Sequence, residues 1–277
     1  MGGARRLVLT ALVAISLTGG TFAQTPAVPV RSALEPATTG GLEVIDRALA
    51  KLSTHRRLLM VGAHPDDEDT SVLTLVVRGM GGEAAYLSLS RGDGGQNLIG
   101  PELGVGLGVI RTQELLAARR IDGARQFFTR GYDFGYIRSL DETLERWPRE
   151  ALLEDVARVI WRFRPQVVVA MFTPDGGGGH GQHRASGWVA QEIFRLAGDG
   201  DRFPRLIEEG WAPWRPQSFF RRSFFNRERA TMEVSVSAVD GLSGRSMLQI
   251  AMESRSQHRS QDMGMLQPLG TLMAGLE

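Results

Sequence analysis

Residues Arg149–Phe172 read REALLEDVARVIWRFRPQVVVAMF, and the change of character at Pro165 decides the fold. Up to Arg164 the pattern is helical, and Pro165, which lacks an amide hydrogen, stops it. Gln166 to Phe172 then runs apolar without alternation, as a strand buried on both faces does. Outward from this stretch the same alternation recurs. A helix is expected over Leu42 to Ser53, a strand over Arg57 to Ala63, a helix over Glu68 to Met80 and a strand over Ala84 to Leu89. A glycine-rich loop then leads into a helix over Gly108 to Ala124 and a weaker strand over Arg125 to Thr129. This order predicts an α/β, Rossmann-like fold, a mostly parallel sheet with helices on both faces. The tail departs from it: Gln217 to Phe225 and Thr231 to Val236 read as strands and Arg245 to Gln257 as a closing helix, a small C-terminal β/α addition. No internal repeat is visible, and the final MLQPLGTLMAGLE lacks a stop signal, as a shortened form of a longer protein would.

With 277 residues, 42% of them hydrophobic, and a net charge of +1, the chain is expected to bury one main core. No Lys/Arg block offers a footprint for nucleic acid, and no basic amphipathic helix suits a membrane surface. The expected partner is a small molecule. The leader MGGARRLVLTALVAISLTGGTFAQTP pairs Arg5 and Arg6 with an apolar run from Leu7 to Ile15, and Thr21-Phe22-Ala23 fits the small-x-small cleavage rule. A signal peptide over 1–23, a flexible lead-in over 24–41 and a domain over 42–277 are therefore expected, with export to the periplasm or beyond and no membrane span after cleavage. The alternative is an uncleaved anchor, for which the apolar run falls short of the ~20 residues a span needs. The absence of Cys excludes disulfides, thiol catalysis, a lipid-modified cysteine and thiolate zinc sites. Any metal must be held by His and carboxylates.

VGAHPDDEDT, Val61–Thr70, lies at the carboxyl end of the first strand, where open parallel sheets bind ligands. His64 and Asp67 could converge there on a divalent cation, with Asp66 beside it. The competing reading makes Asp66 and Asp67 helix caps and His64 a turn residue, yet a helix start needs one cap, not a histidine and four acids. GGGGHGQH, Gly176–His183, follows the strand Gln166 to Phe172, and adjacent strands would bring it beside His64. It reads as a tight loop delivering His180 and His183. A phosphate cradle is the alternative, but no Lys followed by Ser or Thr completes it. GVGLGV at Gly104–Val109 lacks the preceding strand that a dinucleotide fingerprint requires.

HPDDE at His64–Glu68, SRGDGG at Ser90–Gly95, Arg111-x-x-Glu114 and His180-x-x-His183 occur in an order that resembles the PIG-L/LmbE-like deacetylases, zinc enzymes that remove N-acetyl groups from amino sugars. The resemblance runs over about Leu58 to Leu196, and the tail from Phe203 to His258, with SRSQHRSQ, is similar to the larger exported bacterial members. It implies that His64, Asp67 and His183 hold Zn2+, another divalent cation being possible. Asp66 would be the general base, a protonated His180 the second catalytic group, and Arg91, Asp93 and Arg111 would line the sugar pocket. The implied reaction removes the N-acetyl group of an N-acetylglucosamine-type amino sugar or glycoconjugate and releases acetate. Gln182 stands where many relatives carry an acid. It lends no net charge, so the pH dependence assigned to His180 should differ.

Other readings stay open on the residues alone. A non-catalytic, metal-containing carbohydrate-binding protein would keep the fold and tolerate Gln182. A metal-dependent phosphoesterase with two ions would want more acids after other strands. Arg91 and Asp93 could be a surface ion pair, and Arg111 and Glu114 could pair with each other. Glu68 and Asp69 suit the first helical turn, and His258 reads as a solvated or capping residue. Trp147, Trp161 and Trp188 read as core aromatics, and Trp211 and Trp214 as part of a packed loop.

Overall fold

In a computed structural model of the chain, residues 41–175, 179–223, 227–263 and 272–277 are described. The expected leader, all but the last residue of the lead-in, and Gly176–Gly178 of the glycine run lie outside them. Five parallel strands form the main sheet: β1 (Arg57–Gly62), β2 (Glu83–Ser88), β3 (Arg125–Phe128), β4 (Val167–Ala170) and β5 (Ser218–Arg221). Their spatial order is β3-β2-β1-β4-β5. The chain therefore winds outward from β1 in one direction through β2 and β3, then crosses back to lay β4 on the other side of β1. That reversal leaves a crevice above the carboxyl ends of β1 and β4, where doubly wound sheets bind their ligands.

Alternation of side chains along β1 explains why helices cover both faces. Leu59 and Val61 point into a core shared with α5 (Arg149–Phe163) and α6 (Gly181–Leu196), whereas Leu58 and Met60 point into a second core with α2 (Thr70–Thr74) and α3 (Val105–Asp122). Trp147 and Trp161 are buried in the first core, and each indole N–H finds a carbonyl, that of Tyr132 at 2.8 Å and that of Ala197 at 2.7 Å. Helix α4 (Leu140–Arg146) packs on α6, and α8 (Met247–Arg255) packs on α2 and α3, while α1 (Leu42–Leu52) and α7 (Pro204–Glu208) are two further helices. No helix among the described residues is long and apolar enough to cross a membrane.

Three elements differ from the sequence expectation. The tail is not wholly an addition, because β5 extends the parallel sheet beside β4; only β6 (Met232–Ser235) and β7 (Met273–Leu276) form a separate antiparallel pair. The helix expected from Glu68 starts at Thr70, since Asp69 caps it by accepting from the N–H groups of Ser71 and Val72, and it passes into a π-turn over Leu75–Gly79. The GVGLGV run is helical: α3 begins at Val105, and the missing side chain of Gly108 makes room for the Asp93 carboxyl group.

Gly62, the last residue of β1, leaves no room for a side chain. A Cβ there would meet the Tyr86 hydroxyl and stand 2.9 Å from Asp67 Cβ. The hydroxyl is fully buried and donates to the His64 carbonyl, so it has no free rotamer to retreat into. Gly62→Ala is expected to cost about 1–3 kcal/mol by overpacking, read as a lowered denaturant midpoint. An unchanged midpoint would show that this turn is looser than its contacts indicate.

Candidate active site

Immediately after β1 the chain turns on its own acid. Ala63 and His64 both donate their backbone N–H to Asp67 Oδ2 at 2.8 Å, and the Tyr86 hydroxyl donates to the His64 carbonyl at 2.5 Å. His64 Nδ1 lies 3.4 Å from Asp67 Oδ2, while His64 Nε2 lies 2.5 Å from Gln182 Oε1 and 3.7 Å from Asp133 Oδ2. An amide oxygen only accepts, so the proton sits on Nε2 whatever the charge of the ring, and Nδ1 is the nitrogen presented to Asp67. The sequence reading tied Gln182 to His180. The structure places it on His64 instead, because Gln182 enters the buried side of α6 while His180 stands outside as the N-cap.

The two histidines of the glycine segment come from a helix start, not from a loop. His180 caps α6 and His183 lies in its first turn, stacked flat on Phe172 with ring centroids 3.8 Å apart. His183 Nε2 approaches Asp67 Oδ1 to 3.3 Å. Parallel pairing of β1 with β4 is what brings these two segments together, as expected from the order of strands.

Charge in the site is unevenly distributed. Burial opposes a proton on His64, but Asp67 and then Asp133 outweigh it and raise the ring to about 9. Burial also opposes the Asp67 carboxylate, yet His183 and His64 hold it well below the usual range. Asp66 goes the other way: burial lifts its carboxyl group above the ordinary value, with Arg111 opposing. Burial, followed by His183 and His64, pushes His180 down to about 4. Half-burial and two neighbouring imidazoles therefore work against the protonated His180 that the resemblance implies.

Arg111 is fixed by the SRGDGG loop. Its Nη2 donates to Asp66 Oδ1 at 2.8 Å and to the Pro65 carbonyl at 2.5 Å, and Nη1 donates to the Gly92 carbonyl at 3.3 Å. A Cβ at Gly92, whose φ is +70°, would stand 2.6 Å from the guanidinium carbon, and one at Gly95 would stand 2.7 Å from Nη1. These glycines form the bed on which the arginine lies. Glu114 does not pair with Arg111; it accepts from the Ser260 N–H and hydroxyl, both at 2.7 Å. Arg91 and Asp93, expected to line the sugar pocket, stand off it. Arg91 donates to Thr112 Oγ1 at 3.0 Å and lies over the Phe128 ring, and Asp93 is packed against Gly108.

Two further residues change place relative to the sequence reading. Glu68, expected in the first helical turn, precedes the Asp69 cap, and His258, expected to be solvated or capping, stands at the N-cap of the short turn Arg259–Gln261; each is 0% exposed. Glu68 Oε2 accepts from the Asp66 N–H at 3.0 Å, and Glu68 Oε1 meets His258 Nε2 at 2.8 Å and Arg119 Nη2 at 3.1 Å. Asp133, Tyr136, Arg255, Gln261 and Met263 line the same cavity of about 620 Å³ as His64, Asp66, Asp67, Arg111, His180 and His183. Sequence reasoning missed all five. For Asp133 and Tyr136 a signal existed, since they follow β3 at the carboxyl edge of the sheet.

The donor set fits a metal ion. One ring nitrogen from each of His64, His180 and His183 lies within 4.8 Å of the others, and the Asp67 carboxylate touches two of those rings. The carboxylate meets them through different oxygens, Oδ2 toward His64 and Oδ1 toward His183. His180 Nδ1 is buried without a hydrogen-bond partner among the described residues, a cost that a polar or ionic ligand in the cavity would relieve. The convergent triad is thus His64, His180 and His183, whereas the expected ligand set has Asp67 in place of His180.

Residues 59–194 match the PIG-L family, described as GlcNAc-PI de-N-acetylase. The chain is 33% identical over 194 residues to a 1D-myo-inositol 2-acetamido-2-deoxy-alpha-D-glucopyranoside deacetylase of Kineococcus radiotolerans, covering 61% of this chain and 51% of that protein. It spans about half the length of the curated relatives it matches. Among solved structures, an N,N'-diacetylchitobiose deacetylase from Pyrococcus horikoshii superposes with a TM-score of 0.57 at 17% identity, covering 80% of each chain. A 4-carboxy-2-hydroxymuconate hydratase from Pseudomonas putida does so with a TM-score of 0.51 at 16% identity, covering 80% of this chain and 95% of that one. At such identities the likeness concerns the fold, which evidently carries more than one chemistry.

Proposed function

We propose, from the match of residues 59–194 to the PIG-L family, that the protein is a zinc-dependent hydrolase that removes the N-acetyl group of an N-acetylglucosamine-type amino sugar or glycoconjugate and releases acetate. The observation that carries this reading is the convergence of His64, Asp67, His180 and His183 with Asp66 in one cavity. His64, Asp67 and His183 would hold the ion, which when bound supplies Lewis acidity that acidifies water and polarises the amide carbonyl.

The remaining work falls to the protein's own groups. Arg111 occupies Asp66 Oδ1, which leaves Asp66 Oδ2 to take the proton of the attacking water. A carboxyl group raised by burial holds that proton better than an exposed one and can return it to the leaving amine nitrogen. Neutral His180 retains one ring N–H, suited to donate a hydrogen bond to the oxyanion that develops as water adds to the carbonyl. Gln182 sets the tautomer of His64. Of the three residues expected to bind the sugar, Arg111 is retained in this proposal as a cavity residue.

Incubation with a panel of N-acetylglucosaminides is expected to yield acetate and free amine in equal amounts. Saturable sugar binding without acetate would favour a non-catalytic carbohydrate-binding protein, and phosphate release from phosphosugars would favour a phosphoesterase. Export, with cleavage after Ala23, belongs to the same proposal and is supported by the leader sequence. N-terminal sequencing of protein recovered from the periplasmic fraction tests it.

A further inference from the structure

Asp66 is one of three non-glycine residues with positive φ among the described residues. Its φ is 102°, a region that residues other than glycine avoid. Such a conformation persists only where its surroundings over-determine it. Here each polar function of the residue has its own partner: Arg111 Nη2 on the carboxylate at 2.8 Å, Glu68 Oε2 on the N–H at 3.0 Å, and Arg255 Nη1 on the carbonyl at 3.2 Å. The same Arg255 nitrogen donates to the Glu68 carbonyl at 3.2 Å. Arg255 therefore bridges the two carbonyls that flank Asp67, closing the acidic turn from beneath.

Arg255 is the last residue of α8 and lies outside residues 59–194. Its position is not left to chance. Ser254 Oγ donates to Asp122 Oδ2 at 2.7 Å and to the Ala118 carbonyl at 3.1 Å, which ties the end of α8 to α3. Three residues further on, His258 reaches Glu68, and Ser260 is held by Glu114. The SRSQHRSQ segment is thus fastened along α3 and under the HPDDE turn, with Arg255 as its contact to Asp66.

We propose that Arg255 is a positioning residue for Asp66: by bridging the Asp66 and Glu68 carbonyls it holds the strained turn so that the Asp66 carboxylate stays on Arg111 and in the cavity. Its importance for turnover rests on the role of Asp66 as base proposed above; its effect on the turn does not. Local alternatives with negative φ at Asp66 relieve strain but swing the carbonyl away from Arg255, so removal of the guanidinium frees the turn to relax. Displacement of a base by about 1 Å is sufficient to cost on the order of 10²-fold in rate.

Arg255→Ala and Arg255→Lys, each in the full chain, test this by crystallography and steady-state kinetics. In Arg255→Ala the Asp66 backbone is expected to leave positive φ, or its carboxylate to leave Arg111, with metal content unchanged. For an amino sugar turned over by the wild type, kcat is expected to fall by about 10- to 100-fold with KM within about twofold, and Arg255→Lys, which keeps a donor for the carbonyls, recovers part of the loss. Asp66 unmoved in Arg255→Ala with wild-type kcat would overturn the proposal, as would a loss confined to KM, which would make Arg255 a substrate-binding group. Should the wild type release no acetate, the proposed function fails while the position of Asp66 in the variant crystal still decides the positioning claim.

Discussion

Asp66→Asn is expected to lower acetate release by about 10²- to 10⁴-fold while leaving bound metal and stability near wild type. The substitution is close to isosteric. Asn retains an oxygen for Arg111 and an amide for the strained turn, so the geometry set by Arg111, Glu68 and Arg255 survives. What is lost is the ability to accept a proton, since an amide oxygen is far too weak a base for water. Measuring initial rates and metal content on the same preparation separates this from loss of the ion. Normal turnover in Asp66→Asn would remove the residue from the mechanism.

Glu68→Ala is expected to destabilise the fold by about 3–5 kcal/mol, the cost of removing one partner of the buried Arg119 guanidinium. Glu68, Arg119 and His258 are all 0% exposed, and only Asp122, at 2.6 Å from Arg119, would remain to balance the guanidinium. The Asp66 N–H would lose its acceptor as well. The pH dependence follows from the same contacts. Burial opposes the Glu68 charge, but His258 and Arg119 hold its carboxyl group far below the ordinary value of 4.5. On the acid side the unfolded chain therefore binds the proton first, so the stabilisation is complete above about pH 4.5 and fades as the pH falls further. Equilibrium unfolding from pH 7 to pH 3 should accordingly show a shallower acid decline in the variant. Equal declines in both proteins would mean that Glu68 is not the group responsible.

The legible parts of the molecule are those encoded locally. Pro165 and the unbroken run after it mark β4, and alternation with helices implies a parallel sheet, because these signals need only near neighbours in sequence. HPDDE and the histidine pair are likewise short motifs, and strand order alone brings them together. Contacts set by distant chain segments leave no such trace. Nothing in the spacing of Arg255, 189 residues from Asp66, announces that it closes the acidic turn, or that Glu68 and His258 meet in a buried pair. Gln182 reads as a partner of its neighbour His180 because sequence proximity suggests it, whereas the first turn of α6 carries it inward to His64. Arg91 and Asp93 sit in the expected loop, yet the glycines between and after them bend that loop so that Arg111 occupies the cavity wall in their place.

The most direct test of the account is acetate release by the metal-free protein before and after addition of one equivalent of zinc, with an N-acetylglucosaminide as substrate. The account predicts no release before addition and stoichiometric acetate and amine afterwards, lost again in His183→Ala together with the bound ion. Undiminished release without metal, or tightly bound zinc with no release across a broad panel of N-acetylated sugars, would contradict it.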